Sequence, residues 1–237
     1  MQTLCNDETK SGSQFQYLKY IMPMSMFYLV FFLSSAILAH KLVYFGHYMT
    51  SVSTFVLPFT FVLSDVIAEV YGYSLSRQLI WSALVSEFLF AIIMLIAVNI
   101  HSPNVLSNSD AYKVVFSSFM RIFIGNVVAM VSSNFLNIYV ITKSKILLRG
   151  GFFWLRSLGA SIVGEFIFTF VCVIIAFAGV VKISEIPGLI VTSFLFKVIF
   201  NPLAVVPASY LVSCLKRKEG VDIYDTDTDF NPLMFGK

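Results

Sequence analysis

Six apolar runs, each close to the length of helix that crosses a bilayer, constrain this chain more than any other feature. They lie at about 21–39, 52–72, 79–100, 114–141, 158–181 and 189–214, and roughly 20 residues of helix suffice to span the hydrocarbon. The fourth run is long enough to tilt or to extend past the membrane. Lipid offers a backbone no hydrogen bonds, so runs of this length predict helices. The expected fold is all-α and integral to the membrane: six transmembrane helices in one domain, residues 19–215. A polar N-terminal tail (1–18) and a polar C-terminal tail (216–237) flank it. The stretch "GVDIYDTDTDFNP" of the second tail is acidic and reads as a mobile end. A cleaved leader is not expected, because the first apolar run follows the polar "CNDETKSGSQ".

Composition removes other classes. The 237 residues are 58% hydrophobic and 12% charged, whereas a soluble domain carries about 25% charged residues. The net charge of +3 is too small and too dispersed for a nucleic-acid surface. Cys5, Cys172 and Cys214 lack metal-ligand spacing, so no metal and no disulfide is expected. The chain has no G-x-x-x-x-G-K-[ST], H-E-x-x-H or G-x-S-x-G, which argues against a P-loop ATPase and two common hydrolase types. No cofactor is expected.

Basic residues orient the bundle. Lys10, Lys19, Arg77, Lys143, Lys145, Arg149, Arg156, Lys216, Arg217, Lys218 and Lys237 fall in tails and loops of one side, and Lys41, Lys113 and Lys182 on the other. Cytoplasmic loops carry the excess of Lys and Arg, so both termini are expected in the cytoplasm.

Within the helices Asp65, Glu69, Glu87, Arg121, Glu165 and Lys197 break the apolar pattern. Each costs roughly 2.5–3.5 kcal/mol at a helix centre on insertion scales, so such residues mark function by default. Asp65 and Glu69 are four apart and share a helical face. Pro58, one to two turns earlier, predicts a kinked or broken helix whose freed carbonyls could meet a ligand. The same pair also fits a cytoplasmic helix end, in contact with Arg77 or headgroup water. On the fourth helix Arg121 heads a stripe with Gly125, Ala129 and Ser132, and Asn126, Ser133 and Asn137 form a second. Such stripes either join helices or line a ligand. Arg121 lies about two turns inside the outer end. Lys197, at similar depth, either snorkels outward or joins a site. Glu165 sits by Gly159, Ser161 and Gly164 as an ion-pair partner or a ligand contact. Glu87 fits as a partner for Lys197 or Arg121. His40, His47 and His101 read as surface residues at the outer loops.

The residues "FVLPFTFVLSDVIAEVYGYSLSRQLIW" resemble the hallmark of the queuosine precursor transporters, a vitamin-uptake-like group. Pro58, Asp65, Glu69, Tyr71 and Gly72 carry the match. It continues through "NFLNIYVITKSKI", "FWLRSLGASIVGEFIF" and "FKVIFNPLAVVP" and covers most of residues 30–210. Two positions depart from the family pattern: Asn134 stands for Glu or Gln, and Phe168 for Asp. The second departure leaves Glu165 as the only carboxylate of the fifth helix.

The resemblance implies import of 7-deazaguanine bases across a bacterial inner membrane. It also implies a fold similar to the substrate-binding components of energy-coupling-factor transporters, but no ATPase partner. The expected substrate-binding residues are Asp65, Glu69, Arg121, Asn134, Asn137, Glu165 and Lys197. The expected partners are a nucleobase-like small molecule and the bilayer, with self-assembly open and nucleic acid excluded. Two other readings stand beside this one: a subunit of an ATPase-coupled vitamin transporter, and an intramembrane enzyme acting on lipid.

Overall fold

The structure, a computed structural model, describes residues 19–46, 48–100, 113, 115, 116, 119–225, 230 and 231. The N-terminal tail with Cys5 and Lys10 lies outside the described residues, as do His47, His101 and Lys237. Six helices follow the apolar runs: α1 (Ile21–Leu38), α2 (Ser53–Tyr71), α3 (Tyr73–Asn99), α4 (Phe119–Leu147), α5 (Phe153–Phe177) and α6 (Ile186–Glu219). All six are long and apolar enough to cross a membrane. A 3-10 turn, Ile183–Glu185, leads into α6.

The helix most enclosed by protein is α2, whereas α1 and α3 leave most of their surface to lipid. Packed against each of the other five helices, α2 is therefore the axis of the bundle. The difference tracks composition: α2 alternates Ser, Thr and carboxylates with its apolar residues, while α1 and α3 are greasy over most of their circumference.

Pro58 does not break α2, which runs continuously from Ser53 to Tyr71. The ring lies in the second turn and removes the donor that would meet Thr54 O, so the helix holds its course with one backbone bond missing.

Sequence reasoning placed the link between α1 and α2 in a loop; it is an antiparallel hairpin of β1 (Leu42–Phe45) and β2 (Tyr48–Ser51). It caps one end of the bundle, called here the hairpin end. Thr50 Oγ1 lies 3.0 Å from both Thr54 and Ser193 hydroxyls, tying the hairpin to α2 and α6. Phe45 of the hairpin also joins a cluster of mostly tilted and edge-to-face rings with Phe55, Phe196 and Phe200.

The other end, the basic end, differs from expectation in two ways. Helices α3 to α6 extend past their apolar runs, so Arg77, Lys145, Arg156 and Lys216 are helical rather than in loops or a tail. Hydropathy marks where lipid stops, not where helical hydrogen bonding stops. The acidic segment after α6 is also packed rather than loose over residues 221–225: Ile223 N–H donates to Val70 O at 3.3 Å, and Asp225 Oδ2 accepts from Tyr73 N–H at 2.9 Å.

Candidate functional site

Four helices present polar residues at intervals of four or eight, spacings that keep side chains on one helical face. These are Asp65 and Glu69 on α2; Ser133, Asn137 and Lys145 on α4; Ser157, Ser161, Glu165 and Thr169 on α5; and Ser193, Lys197 and Asn201 on α6. All are buried. Close packing of α5 depends on Gly164, because a Cβ there would lie 3.0 Å from Asn137 Cβ and 3.1 Å from the Phe61 ring.

Asp65 is held by neutral donors alone. Its Oδ1 accepts from Asn137 Nδ2 at 2.5 Å, and its Oδ2 from the hydroxyls of Ser157 (2.5 Å) and Ser161 (3.5 Å). Glu165, at the middle of α5, contrasts with it. It is 0% exposed, yet neither oxygen has a hydrogen-bond partner among the described residues. The same holds for both amide atoms of Asn201, Oδ1 of Asn137 and Oγ of Ser133. Buried polar side chains are nearly always paired, so a group of unpaired ones calls for an explanation such as a ligand.

Nearby, Phe61 and Phe168 meet edge to face at 6.0 Å. Lys197 does not snorkel to the membrane surface: its Nζ lies 5.0 Å from the Phe168 ring centre and donates to Thr169 Oγ1 at 2.8 Å. A cavity of about 30 Å³ beside Lys197, lined also by Thr54, Thr169 and Ser193, reaches toward the hairpin. That is room for about one water, so a larger guest must part the helices.

At the basic end the chemistry is ionic. Arg156 forks onto Glu69, with Nη1 to Oε2 at 2.9 Å and Nη2 to Oε1 at 3.1 Å, and Lys216 Nζ adds a third bond to Oε1 at 2.7 Å. Paired bonds from one guanidinium are the strongest form of this contact. Lys145 Nζ donates to Glu69 O and Ile223 O and pairs with Asp222, which also pairs with Lys216. Glu69 therefore lies at the helix end, as one of the two sequence readings had it, but its partners are Arg156 and Lys216. Arg77 instead donates to Asn231 O.

The remaining candidates are scattered. Asn134 joins helices: its Oδ1 accepts from Ser64, and its Nδ2 donates to the Tyr28 hydroxyl, both at 3.2 Å. Arg121, near the first described residues of α4, is exposed at the hairpin end, with one long bond to Ala178 O at 3.3 Å. It is not brought to Asp65 or Glu165. The hydrogen-bond partner of Glu87 is Asn126, at 2.8 Å, rather than Lys197 or Arg121. Sequence reasoning passed over Ser157, Asn201, Arg156 and Lys216. The signal for the first two was the interval of four from Ser161 and Lys197. For the others, basic residues at helix ends are expected to point to headgroups, and nothing local shows that these turn inward.

No curated protein and no solved structure matches the chain. A sequence profile of the family described as "putative vitamin uptake transporter" matches residues 51–212. That span runs from the last residue of β2 to near the end of α6, so it includes the four helices, α2, α4, α5 and α6, whose buried polar side chains converge around Glu165 and Lys197 in a closely packed centre, called here the chamber. A six-helix membrane bundle with unpaired polar groups at its centre suits such a family, and the match covers more than half of the sequence: the chain belongs to this family of membrane transporters.

Proposed function

We propose that the protein imports queuosine precursors, 7-deazaguanine bases such as preQ0, preQ1 or queuine, across a bacterial inner membrane to supply salvage for tRNA modification. In this reading it is a transporter and not an enzyme, it works without an ATPase partner, and both termini are cytoplasmic. The observation that carries the reading is Glu165, a carboxylate at mid-membrane with both oxygens buried and unpaired. A guanine-like edge presents two parallel N–H donors, which a carboxylate with two available oxygens accepts together. Phe61 and Phe168 offer apolar ring surface for a flat heterocycle. Lys197 and the amide of Asn201 can donate to a ring carbonyl, and Asn137 Oδ1 can accept. The resemblance of the α2 segment to the queuosine precursor transporters selects deazapurines over other vitamins.

Uptake of labelled precursors into cells lacking queuosine synthesis tests this. Label should accumulate and enter tRNA only when the protein is present. Accumulation no greater than in cells without it would reject the substrate assignment. Co-purification of an ATPase and a coupling membrane protein would move the assignment to a subunit of an ATPase-coupled vitamin transporter. Orientation is tested by thiol labelling of intact cells: cysteine at position 41 should react, and cysteine at 148 or 218 should not.

A further inference from the structure

We propose that residues 219–225 form a strap that latches the basic end of the bundle shut, and that solute leaves the chamber toward that end only when the strap lifts. The strap contacts α2, α3, α4, α6 and the start of α1 at that end, and Tyr224 lies against Gly150 in the link before α5. Glu219 accepts from Tyr20 N–H at 2.9 Å and from the Tyr71 hydroxyl at 2.5 Å, joining α6 to the start of α1 and the end of α2. Asp222 bridges Lys145 on α4 and Lys216 on α6, at 2.7 and 2.9 Å. Ile223 bonds the end of α2 through its backbone, and Asp225 receives the first N–H of α3. Lys216 and Lys145 each contact both the strap and Glu69, so the strap and the Arg156–Glu69 pair form one network.

Two corners are shaped to receive it. Gly72, between α2 and α3, has φ +87, and a Cβ there would lie 3.0 Å from the Ile223 side chain and 3.3 Å from the Asp225 carboxylate. Gly150, between α4 and α5, has φ +76, and any Cβ there would collide with the Tyr224 hydroxyl. Glycine answers both demands at once, since it alone adopts such φ readily and leaves the space. The strap is nonetheless suited to release. Asp222, Ile223 and Tyr224 are each about two-fifths exposed, and most of its bonds are polar ones that water can replace.

The latch holds through neutral pH. Partial burial acts to raise the Asp222 carboxyl, but the bonds and charges of Lys145 and Lys216 outweigh it and hold it below its ordinary value. A depressed carboxyl contributes its stability above the ordinary aspartate pKa of about 4 and loses it only as pH falls further. Mild acidification therefore does not open it.

The test uses the full chain in oriented vesicles, with Cys5, Cys172 and Cys214 replaced by Ser. Nitroxides at positions 148 and 224 report strap docking. Separately, a thiol introduced by Ser161→Cys reports access to the chamber from each side. Asp222→Asn removes both ion pairs at a partly exposed residue and leaves Glu69 with Arg156. It should enlarge the long-distance spin population at least fivefold. It should also speed thiol modification at least fivefold from the side carrying the C terminus, and leave the rate from the hairpin side unchanged. A strap that lifts while the thiol stays protected would show that it is not the gate. Unchanged distances would show that Asp222 is no latch, and faster modification from both sides would mean general loosening; either overturns the proposal. None of these readouts needs a substrate, so they stand or fall apart from the deazaguanine assignment.

Discussion

Glu69 and Glu165 are buried carboxylates of one bundle treated in opposite ways. Three charge-assisted bonds from two cations surround Glu69, whereas Glu165 has no hydrogen bond to either oxygen among the described residues. Desolvating a carboxylate is expensive, and only good pairing offsets it. At the basic end the protein meets that cost with its own residues, so the contact is finished and joins α2, α5 and α6. At mid-membrane, where helices α2, α4, α5 and α6 converge, no hydrogen bond among the described residues meets that cost, and only the nearby Lys197 charge acts against it. A finished network stabilises one conformation. An unfinished one retains bonding capacity for a guest. The lesson is that a membrane carboxylate is best judged by its partners, not by its presence.

Arg156→Met should have the largest effect. It leaves Glu69 with Lys216 alone, and breaking a buried pair from one side costs about 3–5 kcal/mol. Thermal unfolding in detergent and membrane abundance should both fall sharply. Retained stability would break the contrast by making Glu69 as unfinished as Glu165. Glu69→Gln should follow the same direction, because an amide cannot accept from both cations.

Glu165→Gln comes next and should act on transport instead. The amide turns one acceptor into a donor that faces the ligand's own N–H, a mismatch of about 1–3 kcal/mol. Uptake at low substrate should drop by about tenfold or more, with thermal stability equal or higher. A variant that transports normally would place recognition elsewhere in the chamber. In that case Asp65→Asn, which disturbs the Asn137, Ser157 and Ser161 donors, is the sharper probe.

Asn134→Ala should cost about 1 kcal/mol of stability, the value of a neutral bond between helices, with little change in apparent substrate affinity. A selective affinity loss would extend the chamber toward Tyr28. Smallest of all, Arg121→Ala should change neither stability nor uptake measurably, since the side chain is exposed and holds one long bond. Strong loss of uptake would give the hairpin end a part in solute entry.

Much of this protein was determined by sequence alone. Six runs of bilayer length predict six helices because lipid leaves the backbone no other way to bond, and the helices lie over those runs. The interval of four between Asp65 and Glu69 placed them on one face, and their cost in lipid turned that face inward. Tertiary structure decided which charges meet. Glu69 and Arg156 are separated by 87 residues, and Glu69 and Lys216 by 147; no local pattern links them. Arg156, Lys145 and Lys216 have the composition of headgroup contacts, and only the convergence of α2, α4, α5 and α6 brings them to Glu69, Arg156 and Lys216 at its carboxylate and Lys145 at its backbone oxygen. The acidic tail likewise looked free because its charge and low hydropathy cannot build a core. It is held because Gly72 and Gly150 leave it room and two lysines face it. Hydropathy is a property of each segment; pairing is a property of distances between segments, and those exist only once the bundle is packed.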